Sequence, residues 1–175
     1  MRELTKKVCL LGDFYVGKTS LVRRFVEGRF DERYLSSIGV KVDRRVMHVP
    51  VDDGDVALTL MLWDLASESD GSPVVPSYYR GASGAILVCD LTRPDTLSAI
   101  GRYAERLLAT NPKAALVLAG NKQDLEEERR VAEDDLAAVA AELQAPIHLT
   151  SARTGAGVEE LFQELGMLLL RASRP

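Results

Sequence analysis

Gly12-Asp13-Phe14-Tyr15-Val16-Gly17-Lys18-Thr19 is the stretch from which the fold is read. It fits G-x-x-x-x-G-K-[ST], a loop whose backbone N–H groups turn inward around phosphate. Its flanks are those such a loop requires. Val8-Cys9-Leu10-Leu11 before it reads as a buried strand, and Leu21, Val22, Phe25 and Val26 after it recur at helical spacing. A strand, loop and helix in that order aim the loop amides and the helix N-terminus at one anion. Lys18 would neutralise the outer phosphates, and the Thr19 hydroxyl would hold Mg²⁺.

Outward from the loop, apolar strands alternate with amphipathic helices. Residues 39–51 form a strand of imperfect alternation whose charges suit a sheet edge. Asp52-Asp53-Gly54-Asp55 reads as a hairpin turn. Residues 58–63 are a buried strand ending on Asp64, and residues 65–76 read as a mobile loop. Further strands fall at 85–89, 115–119 and 147–149. Pro94 opens one helix in which Leu97, Ile100, Ala104, Leu107 and Leu108 share a face. Ala132, Leu136, Val139, Ala140 and Leu143 mark the next helix, and Val158, Leu161, Phe162, Leu165, Leu168 and Leu169 the last. The pattern predicts an α/β fold: a six-stranded, mostly parallel sheet with one antiparallel edge strand and helices on both faces. Ligands of such sheets bind beyond the carboxyl ends of the strands.

Composition narrows the function classes. The 175 residues suit a single domain spanning 1–175, with an ordinary globular balance of 46% hydrophobic and 27% charged residues. A formal net charge of −4 speaks against non-specific nucleic-acid binding, which needs a basic surface. Cys9 and Cys89 lie inside apolar runs and read as buried core residues of a reducing compartment. No signal peptide, membrane-spanning run or terminal prenylation cysteine is evident, so the expectation is a cytoplasmic protein with no visible membrane anchor.

Two further clusters follow predicted strands. Asp64 sits where a carboxylate reaches a Mg²⁺ shell beside the phosphate loop. Asn121-Lys122-Gln123-Asp124 supplies a carboxylate able to accept from both N1–H and the exocyclic amine of guanine, a donor pair adenine lacks. An unpaired buried acceptor costs about 1–3 kcal/mol, so Asp124 alone would discriminate strongly. Ser151-Ala152-Arg153 can offer a backbone N–H to the guanine carbonyl.

With these motifs in hand, the chain resembles a small GTPase of the Ras superfamily and is most similar to the Rab branch, from about residue 6 to 170. The likeness extends to Ser37-Ile38-Gly39-Val40 in a first switch, Trp63-Asp64 at a second, and the Rab-like run Tyr78-Tyr79-Arg80-Gly81-Ala82. It implies a P-loop NTPase three-layer sandwich that binds GTP or GDP with Mg²⁺ and acts as a molecular switch. The nucleotide-binding set would be Gly12, Tyr15, Val16, Gly17, Lys18, Thr19, Ser20, Phe30, Tyr34, Ser67, Asn121, Lys122, Asp124, Ser151, Ala152 and Arg153. Phe30 would pack against guanine and Tyr34 would close over the phosphates. Thr19, Ser37 and, through water, Asp64 would hold the metal, while Lys18, Glu68 and Ser37 would serve hydrolysis. Effectors, exchange factors and activators would engage residues 30–45 and 64–82.

Departures from the family pattern bear on rate. Ser37 stands where the family has Thr, losing the methyl that stiffens χ1. Phe14 and Tyr15 fill loop positions that are usually small. Ser67 replaces a Gly whose N–H meets the γ-phosphate. Glu68 replaces the Gln that orients water; a second negative charge about 4 Å from the phosphate, at an effective dielectric of about 20, costs roughly 4 kcal/mol. Hydrolysis is therefore expected to be slow, by up to about a thousandfold. Arg33 reads as a solvated cation ahead of a built-in arginine finger. His48 and His148 read as structural or surface residues, Tyr103 and Met167 as packing residues, and 126–130 as a solvated charge run. The alternatives are a GTP-binding module that no longer hydrolyses and a P-loop kinase, against which Asn121-Lys122-Gln123-Asp124 counts heavily.

Overall fold

The computed structural model describes residues 2–30, 40–65 and 76–173. In chain order the elements are β1 (Arg2–Leu11), α1 (Lys18–Glu27), β2 (Val40–Val51), β3 (Gly54–Leu65), β4 (Ala82–Asp90), α2 (Pro94–Ser98), α3 (Ile100–Thr110), β5 (Ala115–Asn121), α4 (Glu133–Leu143), β6 (Ile147–Thr150) and α5 (Val158–Ala172). Short 3₁₀ turns lie at Pro76–Tyr79 and Glu126–Glu128.

The strands form one sheet in the order β2-β3-β1-β4-β5-β6. Every pairing is parallel except β2 with β3, which meet as an antiparallel hairpin with Val51 opposite Gly54. The sheet thus has the predicted make-up, and charged β2 is its edge. β1 and β3 are longer than the apolar pattern suggested. Arg2 to Lys7 pair with Val56 to Met61, so a polar segment becomes strand through its ladder, not its side chains.

Both sheet faces are covered, which explains why the strands read as continuous apolar runs. In β1, Val8 and Leu10 face the core shared with α1 and α5, while Cys9 and Leu11 face the one shared with α3 and α4. Phe25 of α1 stacks on Phe162 of α5 with ring centroids 3.6 Å apart. Arg45 of β2 lies over the Phe25 ring and reaches Glu159, tying the edge strand to both helices.

Three sequence expectations change. The helix opened by Pro94 is two helices, broken at Ala99, where Arg102 N–H bonds back to Ala99 in a tight turn. Met167, expected to pack, is 38% exposed. Ala132 is exposed and precedes α4. The expected loop at 65–76 falls almost wholly outside the described residues, as does the Ser37-Ile38-Gly39 part of the first switch. No helix among the described residues is long and apolar enough to cross a membrane.

Candidate functional site

The strand order reverses about β1, whose neighbours are β3 on one side and β4 on the other. The loop leaving β1 therefore sits over the crevice where such sheets bind ligands. Gly17 caps α1 with φ 101°, and neither a capping side chain nor an acidic residue occupies the first turn. The first-turn N–H groups of a helix take their partners from outside its own ladder, and an anion is a fitting one. Only glycine suits position 17: a Cβ there would stand 2.3 Å from Asn121 Nδ2. At Gly12 a Cβ would come 2.4 Å from the Val88 carbonyl oxygen, so the loop's other end is pressed onto β4.

Lys18 is 8% exposed, and its ammonium donates to the carbonyls of Gly12 (2.8 Å) and Asp13 (3.4 Å). It arches over the loop, where a polyphosphate's charge would fall. The Thr19 hydroxyl donates to the Asp64 carboxylate, which is fully buried. A hydroxyl and a carboxylate side by side offer hard oxygen ligands of the kind Mg²⁺ prefers.

The base-reading segments converge on the same loop. Asn121, 2% exposed, donates from Nδ2 to the Val16 carbonyl at 2.9 Å and accepts from Thr150 Oγ1 at 3.0 Å. Lys122, in the left-handed region with φ 70°, extends its ammonium to Asp90 at 2.8 Å. Asp124 accepts from the Ser151 hydroxyl at 2.8 Å, and that oxygen itself accepts from Thr154 N–H. Ser151 thus orients the carboxylate expected to read guanine. Ala152 is buried, while the Arg153 side chain is exposed. Phe30 is half-buried against the core on the α1 side, and half-buried Ser20 stands in the first turn of α1.

Tyr15 has φ 65° and is 48% exposed, its ring edge-on to Phe14. Left-handed backbone on a bulky residue costs about 1–2 kcal/mol and persists only where the surroundings enforce it. The carbonyls on either side of Tyr15 are both held, Val16 by Asn121 and Phe14 by Arg93 Nη2 at 2.5 Å.

Tyr34, Ser37, Ser67, Glu68 and Arg33 lie outside the described residues. Conversely, the structure adds residues with no motif to announce them. Arg24 of α1 donates from Nε to the Ala152 carbonyl at 2.8 Å and from Nη2 to that of Arg153, fixing the Ser-Ala-Arg loop from below. Tyr103, expected only to pack, is 1% exposed yet donates its hydroxyl to Asp13 Oδ1 at 2.9 Å. Asp90 gathers Lys122, Arg93 and Thr92 around one buried carboxylate. Burial would raise its pKa, but the hydrogen bonds from Lys122 and Thr92 outweigh that and hold it below the ordinary value of 3.8. An Asp ending a strand carries too little local signal to mark such a hub.

Residues 7–171 match the model of the Ras family. The chain belongs to the Ras family. Within it, the chain is Rab-like. It is 36% identical over 171 residues to the "Ras-related protein Rab5" of Nicotiana tabacum, covering 97% of this chain and 84% of the relative. It is 36% identical over 164 residues to the human "Ras-related protein Rab-31", covering 93% and 81%. To the "GTP-binding protein ypt5" of Schizosaccharomyces pombe it is 38% identical over 168 residues, covering 95% and 78%. As a Rab-like member of the Ras family, the chain is a GTP-binding molecular switch with GTPase activity.

Proposed function

We propose that this chain is one guanine-nucleotide-binding domain that seats GTP or GDP between the loop Gly12–Thr19 and the Asn121–Asp124 and Ser151–Arg153 segments, and hydrolyses GTP slowly. The carrying observation is the Asn121–Val16 hydrogen bond at 2.9 Å. It joins the base-reading segment to the phosphate loop, so one ligand with a purine at one end and phosphates at the other would span both.

In this reading Asp124 accepts from guanine N1–H and the exocyclic amine, with Ser151 orienting it. The Gly17-capped N-terminus of α1 and Lys18 take the β- and γ-phosphates. Thr19 and Ser37, with Asp64 through water, would hold Mg²⁺, whose chemistry when bound is to neutralise charge on the phosphate oxygens. Water attacks the γ-phosphorus in line; the new P–O bond forms as the bond to the β-phosphate oxygen breaks, giving GDP and phosphate. By the family resemblance Glu68 replaces the Gln whose amide would orient that water, and its charge would oppose the step. Effectors, exchange factors and activators are assigned to residues 30–45 and 64–82, and the cytoplasm is the assigned compartment.

Mass spectrometry of the nucleotide that co-purifies, followed by titration with GDP and ADP, tests the reading. GDP or GTP is expected in the preparation, with GDP binding far more tightly than ADP. Uptake of adenine nucleotides in preference, or of neither, would overturn it.

A further inference from the structure

One buried carboxylate lies between the base-reading segment and the phosphate loop. Asp90 is 1% exposed, and its oxygens are fully used. Oδ1 accepts from Thr92 N–H at 2.8 Å and Thr92 Oγ1 at 2.7 Å. Oδ2 accepts from Lys122 Nζ at 2.8 Å and Arg93 Nε at 3.1 Å. Four donors fill what a carboxylate can accept. The turn holding Asp90 is itself fixed, since Arg93 N–H bonds to the Asp90 carbonyl and the buried Thr96 hydroxyl accepts from Asp90 N–H.

Arg93 is what makes this more than a turn. Its Nε faces Asp90 while Nη2 donates to the Phe14 carbonyl. A guanidinium is a rigid fork that can serve two acceptors at once; a lysine ammonium on a flexible stem cannot hold both in fixed geometry. The base-reading motif therefore grips the phosphate loop twice. Asn121 holds the Val16 carbonyl directly, and Lys122 holds the Phe14 carbonyl through Asp90 and Arg93. The two anchored carbonyls flank Tyr15, the loop residue with φ 65°.

We infer that Asp90 and Arg93 are positioning residues for the nucleotide: the bridge Lys122–Asp90–Arg93–Phe14 holds the phosphate loop in its binding curvature and couples it to the base-reading segment, so that it sets how long the nucleotide stays bound. This rests on the guanine-nucleotide reading above. Neither residue needs to touch the ligand. Without the Arg93 bond, the Phe14 carbonyl loses that charged donor and Tyr15 is held less firmly in its left-handed conformation. The amides that follow would then turn away from the β-phosphate.

The test uses the full chain loaded with GDP. Release of a fluorescent GDP analogue is timed for the wild type, Arg93→Ala, Arg93→Lys, Asp90→Asn and the double variant, with exposed Arg171→Ala as control. Arg93→Ala should release GDP about tenfold faster, the effect of one charge-assisted hydrogen bond. Arg93→Lys should rescue only part of this. The double variant should be no faster than Asp90→Asn alone, because both break one bridge. The ³¹P resonance of the bound β-phosphate should move in Arg93→Ala and not in Arg171→Ala, a readout that a merely structural role would leave still. Arg93→Ala carries the test by itself if Asp90→Asn does not fold. A wild type that holds GDP, with Arg93→Ala releasing it at the wild-type rate and an unmoved β-phosphate resonance, overturns the inference alone. A wild type that takes up no guanine nucleotide overturns both it and the reading beneath it.

Discussion

Replacing Gly17 by alanine tests the joint between phosphate loop and base-reading segment with one methyl group. That methyl would stand 2.3 Å from Asn121 Nδ2, well inside the roughly 3.5 Å at which such atoms normally meet. Asn121 cannot swing aside cheaply, because Val16 and Thr150 hold its two ends and it is 2% exposed. Alanine at φ 101° also costs about 1–3 kcal/mol of backbone strain. Displacing the amide loses a hydrogen bond, about 1 kcal/mol, and leaves a buried partner unsatisfied, about 1–3 kcal/mol. Taking the lower part of each range gives roughly 3–4 kcal/mol, or a loss of 10²–10³ in nucleotide affinity. The loss reaches the ligand because the distorted residues supply the amides that meet phosphate. Calorimetric titration of GDP into nucleotide-free protein measures it. The mechanism makes a second demand: in an Asn121→Ala background the methyl has nothing to strike, so its added cost should shrink to the strain contribution. A Gly17→Ala protein binding GDP within threefold of wild type would refute the reasoning, as would full additivity with Asn121→Ala.

Other outcomes can be checked alongside. Glu68→Gln should speed single-turnover GTP hydrolysis, by up to about a thousandfold if the full charge penalty acts in the transition state; an unchanged rate removes the charge argument. Cys9 and Cys89 should resist a thiol reagent at mildly alkaline pH until the protein unfolds. Burial pushes their pKa up to about 11 and about 12, with Lys7 opposing the rise at Cys9 and Asp90 adding to it at Cys89; prompt labelling of the native protein would contradict this. Because the folded Asp90 pKa lies below its ordinary 3.8, its stabilisation is complete above that value and fades as pH falls through the folded one. Asp90→Asn should therefore lower the unfolding midpoint at neutral pH and cost least in strong acid, whereas an equal cost in both would count against it.

The sequence by itself determined the order of strands and helices, the phosphate loop and the carboxylate at Asp124. Each of these is written in short range: a glycine spacing, an apolar period, a motif after a strand. Continuous apolar strands also announced that both faces of the sheet would be covered, as the cores under α1 and α5 and under α3 and α4 are. What only the tertiary structure decided is how the site is held. Arg24 reaches 128 positions along the chain to the Ala152 carbonyl, and Tyr103 reaches 90 to Asp13. Asn121 meets Val16 and Gly17 only because β5 and β1 lie on either side of β4. Such partners carry no local period or spacing, since their chemistry depends on which strands the sheet sets side by side. The polar first half of β1 is strand for the same reason, as its backbone finds β3. Motifs name the groups that would meet a ligand, and the sheet's strand order fixes the groups that keep them in place.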